Sequence, residues 1–92
     1  MIVRISGEGQ YELPDADAPR LNELDNRAVA AVERGDEAGF RELWDQMLGL
    51  VETDGTPLPD DELVGSAVIL PPRDISLEEA RDGFSGEGLI PD

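Results

Sequence analysis

The chain has 92 residues, the size of one small domain, and carries 22 acidic against 7 basic residues for a net charge of −15. All seven cations are arginine, and histidine, cysteine and lysine are absent. That balance excludes a basic face able to displace counterions from nucleic-acid phosphates, and it removes thiolate, Schiff-base and imidazole chemistry.

Leu, Ile, Val and Phe together number 24, about a quarter of the chain, so one modest core is within reach. Like-charge repulsion works against compaction, and stability is expected to rise with salt. The absence of lysine beside abundant Ala, Gly and Asp fits either genomic base composition or a salt-adapted host. The start, MIVRISGEG, is a strand-like run and not the apolar centre of a signal peptide. No apolar stretch approaches the roughly 20 residues of a membrane span. The chain therefore reads as soluble and cytoplasmic.

The first predicted elements are two short strands. Ile2-Val3-Arg4-Ile5 is β-branched and runs into Ser6-Gly7-Glu8-Gly9, after which Gln10-Tyr11-Glu12-Leu13 alternates before Pro14. This pattern predicts a β-hairpin. A helix follows over about residues 19–34, with Asp15 and Asp17 near its positive end and a stripe of Leu21, Leu24, Ala28, Ala31 and Val32. Gly35 is placed to end it as a left-handed cap, and Asp36 to cap a second helix at once. In that helix Phe40, Leu43, Trp44, Met47, Leu48 and Val51 keep i, i+3, i+4, i+7 spacing, until Gly55 and Pro57 stop it. So short a link makes the two helices an antiparallel hairpin.

Residues 56–74 hold four prolines around Val68-Ile69-Leu70. That apolar run (residues 67–70) fits either a strand added to the hairpin or a loop lying on the helices. Ser76-Leu77-Glu78-Glu79 is a capping box, with Ile75 placed against Ala80, and it predicts a short helix over residues 77–84. The chain reads as a single α+β domain spanning residues 1–92: an N-terminal β-hairpin, an antiparallel helix pair, a proline-rich segment with a candidate strand, and a short C-terminal helix.

Chemistry is scarce along this chain. Asp60-Asp61-Glu62, within PLPDDELV, suits a helix start facing a positive dipole end, or an acidic rim that a partner recognises. As an acid/base pair it lacks an apolar pocket, and as a metal site it lacks alternating ligand spacing. Asp15-Ala16-Asp17 opens like a calcium loop but puts Arg20 and Asn26 where glycine and glutamate belong. Gly7-Glu8-Gly9 has no third glycine and is a turn. No serine has an activating base. No catalytic residue, metal ligand or cofactor is therefore assigned. The stripe through Phe40, Trp44, Met47 and Val51 reads first as a core seam. The facing stripe is small, however, and Trp44 is a candidate apolar anchor for a partner helix.

MIVRISGEGQYEL, LNELDNRAVAAVERGDEAGFRELW, TPLPDDELV, VILPPRDISLEEAR and EGLIP, taken in order, resemble the PspAA family nearly end to end. These are small proteins associated with phage shock protein A in actinobacteria and archaea. The resemblance implies a partner, a coiled-coil protein that supports stressed membranes, and a setting on the inner face of the membrane. It carries no reaction and no catalytic residues. The expected function is a non-catalytic adaptor in an envelope-stress response, with Asp60, Asp61, Glu62 and Trp44 as docking residues and no membrane insertion of its own. Two readings from other classes stay open: an acidic mimic that blocks a basic nucleic-acid-binding protein, and a divalent-metal-dependent carboxylate enzyme.

Overall fold

A computed structural model describes residues 1–59 and 65–83. β1 (Ile2–Ile5) and β2 (Gly9–Glu12) form the expected antiparallel hairpin, with positive φ at Gly7 in the turn and at Gly9, where β2 begins. A 3₁₀ turn over Asp15–Asp17 leads into α1 (Ala18–Arg34), which α2 (Glu37–Asp54) follows almost immediately. β3 (Thr56–Pro57), β4 (Val68–Leu70) and α3 (Leu77–Gly83) complete the described elements. The protein is α+β.

The four strands make one sheet in the order β3-β2-β1-β4. β4 lies parallel to β1, with Val3 beside Val68 and Ile5 beside Leu70, so the strand reading of Val68-Ile69-Leu70 holds. Sequence alone did not predict β3. It is two residues long and pairs antiparallel with β2, Tyr11 opposite Pro57. Proline cannot donate to a ladder, so a sheet edge is where it is tolerated.

Alternation along the strands sorts their side chains. Val3, Ile5, Val68 and Leu70 are buried, while Arg4 and Ile69 between them are exposed. Each fully buried aliphatic side chain contributes about 1.5–3 kcal/mol. These residues join Leu13, the α1 stripe, the α2 stripe, Ile75 and Ala80 in one core cluster.

The helix signals act as read. Gly35 adopts φ 70°, ψ 24°, and Asp36 donates its N–H to the Ala31 carbonyl at 2.9 Å. Any other residue would strain that left-handed backbone. The Asp36 carboxylate then accepts from the Gly39 N–H at 3.0 Å, which starts α2 one residue after α1's cap. In the capping box the Ser76 hydroxyl accepts from Glu79 N–H and the Glu79 carboxylate from Ser76 N–H, both at 3.1 Å. Asp17 stands at the N-cap of α1 but makes no capping bond with its side chain, because its backbone is already helical.

Candidate docking surface

The loop after β4 is fastened by two arginines. Arg73 grips the hairpin turn through Glu8, Nη2 to Oε1 at 2.9 Å and Nε to Oε2 at 3.3 Å, and also pairs with Glu52 near the end of α2. Hydrogen bonds to Glu8 and then Glu52 raise the pKa of Arg73 above its ordinary value. Arg41, on α2, donates to the Arg73 carbonyl at 2.9 Å and to the Ile75 carbonyl. Its guanidinium carbon lies 5.7 Å from the centre of the Phe40 ring.

Those bonds decide the character of the surface. Four of the seven arginines are engaged within the chain, because Arg20 pairs with Glu23 at 3.4 Å and Arg34 with Asp36 at 3.7 Å. Among the described residues Arg4, Arg27 and Arg81 have no carboxylate within 4.0 Å, and they are dispersed over β1, α1 and α3. The exterior is dominated by carboxylates, including Glu37, Glu42, Asp45, Glu78 and Asp82.

One concave feature lies on the helix layer, where the beginning of α1 passes the end of α2. An open groove of about 320 Å³ has Leu24, Gly49 and Leu50 along its floor. Arg20, Gln46, Thr53 and Asp54 stand at its rim. Beside it, Asp17 lies close to Asp54. Desolvation first, then the Asp54 charge and the hydrogen bond that only a protonated carboxyl can donate across the pair, hold the Asp17 carboxyl above its usual range. A second depression of about 420 Å³ is bordered by Glu37, Ser76, Leu77, Glu78 and Arg81. Among the described residues no three carboxylates converge as a metal site.

The predicted docking residues fare differently. Asp60, Asp61 and Glu62 lie outside the described residues. Trp44 is fully buried and stacks on Phe40, ring centres 6.1 Å apart at 15°. It is therefore core, and its side chain presents no anchor to a partner. The small α1 stripe is not the whole cover, because the apolar face of the sheet joins the same cluster. The Asp17–Asp54 juxtaposition was not foreseen, since the two residues lie far apart in sequence. Gly49 did leave a signal: a glycine inside a strongly helical pattern.

Among the described residues no helix is long and apolar enough to cross a membrane. Comparison with curated proteins and with solved structures returns no match. The family model PspAA, described as PspA-Associated protein, matches residues 1–92, the whole length. The chain belongs to the PspAA family.

Proposed function

We propose that this protein is a non-catalytic adaptor that docks on a phage-shock-protein-A-like coiled-coil protein and regulates it during envelope stress. It acts at the cytoplasmic face of the membrane, to which the partner recruits it. The observation that carries this reading is the disposition of charge. Four arginines serve the chain's own loops and helix ends, so in a chain of net charge −15 few cations are left to offset the carboxylates exposed among the described residues. An acid-dominated surface complements a basic stretch on a protein helix, and such complementarity speeds encounter and sets orientation. Family membership as a PspA-associated protein supports the choice of partner.

The test is a titration of this protein against the phage shock protein A homologue of the same organism at two salt concentrations. Saturable binding that weakens as salt rises supports the adaptor. No binding at either concentration overturns it.

A further inference from the structure

We propose that the groove between α1 and α2 receives one helix of the protein partner, a helix whose apolar stripe is bordered by arginine or lysine. The proposal rests on the adaptor reading and gives it a docking site. The shape fits first. The groove follows α2 over residues 46–54, a length of about 12 Å or two helical turns. A partner helix laid along it brings side chains at i, i+3 and i+4 over the partly exposed Leu50 and the open backbone at Gly49.

Gly49 is what keeps this floor open. A Cβ at that position meets nothing within 4 Å, and Gly49 is not among the positive-φ glycines. Neither packing within the described residues nor backbone geometry requires glycine there, although glycine weakens a helix interior. What its absence of side chain leaves is room for a neighbour.

Charge identifies that neighbour. Among the described residues no cation lies within 4.0 Å of Asp17 or Asp54, and the one arginine at the rim is turned to Glu23. Asp54 is moreover the last residue of α2, where unpaired carbonyls add negative potential. An arginine or lysine arriving at the end of the groove meets two carboxylates that have no cation of their own. Phosphates of a membrane or of a nucleic acid are repelled from the same place.

The probe is a fluorescently labelled peptide of about 14 residues with leucines at i, i+3, i+4 and i+7 and arginines on the flanking positions. A scrambled peptide of identical composition keeps the charge and loses the stripe. The expected result is binding at least tenfold tighter than that of the scramble. Gly49→Tyr, which fills the groove, should weaken binding tenfold or more without lowering the melting temperature. Thr53→Arg, at an exposed rim position, serves as the second variant and should act in the same direction. Equal affinity for the scramble, or unchanged affinity in both variants, overturns the groove. The homologue titration separates the two ideas: a wild-type protein that fails to bind it defeats the adaptor reading. Full binding by Gly49→Tyr defeats only the groove.

Discussion

Arg41 on α2 turns its guanidinium to the main-chain carbonyl of Arg73, 2.9 Å away, while the Arg73 side chain points elsewhere to Glu8 and Glu52. Each guanidinium thus has its own oxygen acceptors, carbonyls for Arg41 and carboxylates for Arg73. Through this pair the hairpin turn, the end of α2 and the loop before α3 become one mechanical unit. Arg41→Met keeps the aliphatic stem and loses both carbonyl bonds. Bonds from a charged donor contribute about 1.5–3 kcal/mol each when buried, and less where solvent reaches them. We expect a destabilisation of about 1–2 kcal/mol in urea unfolding, with hydrogen exchange at Ile75 and Ala80 accelerated more than in β1.

Trp44→Ala removes the largest fully buried side chain. The loss should be about 3–5 kcal/mol, enough to leave so small and so charged a domain largely unfolded. Circular dichroism at low salt would show it. A Trp44→Ala protein that stays folded and loses only partner binding would restore the anchor reading.

Gly49→Ala should stabilise the protein by about 0.5–1 kcal/mol, because a methyl group enters open space and helix propensity improves. For a domain of this size that is a rise of about 2–8 °C in melting temperature. Gly35→Ala should do the opposite, since its backbone is left-handed.

The pH dependence has two opposed parts. The Asp17 carboxyl binds its proton more tightly in the folded state than its ordinary value of 3.8, chiefly through desolvation and then Asp54. Its stabilising contribution is therefore complete below 3.8 and is lost as pH rises through the higher folded value. Asp17→Asn should raise the melting temperature at neutral pH and lose that advantage in acid. Glu79 is the reverse case, held below its ordinary 4.5 by the Ser76 backbone N–H and then by the Ser76 hydroxyl. Its contribution is present above 4.5 and disappears as pH falls through the lower folded value. Glu79→Gln should cost stability at neutral pH and little in strong acid, measured by melting curves across about pH 3–7.

Added salt should raise the melting temperature of the wild-type protein steadily, since self-repulsion at −15 is screened within about 10 Å at 0.1 M. Sodium chloride and an equivalent ionic strength of magnesium chloride should act alike. A shift specific to magnesium, calcium or manganese would instead point to a bound ion.

Much of this architecture is written in short-range signals. The hairpin, the two helices, the Gly35–Asp36 link and the Ser76–Glu79 box each depend on residues within a few positions of one another. Backbone capping and apolar periodicity make such units readable from a single chain. The choice between strand and loop for Val68-Ile69-Leu70 was different in kind. A three-residue apolar run suits both, and only pairing with β1 across the whole helix hairpin decides. β3 escaped for a similar reason, because a proline argues against a strand until an edge is available.

The same division separates the surface from the core. Composition by itself determined that this protein is acidic, small and without nucleophilic or metal-binding side chains beyond carboxylates and hydroxyls, and apolar periodicity determined that it is helical through its middle. Only the tertiary structure decided that Trp44 is covered, that Arg41 and Arg73 are spent on one loop, and that Asp17 meets Asp54 beside an open groove. Burial and charge pairing depend on which distant segments come together. Periodicity along one segment states which face turns inward, and it is silent about what lies opposite.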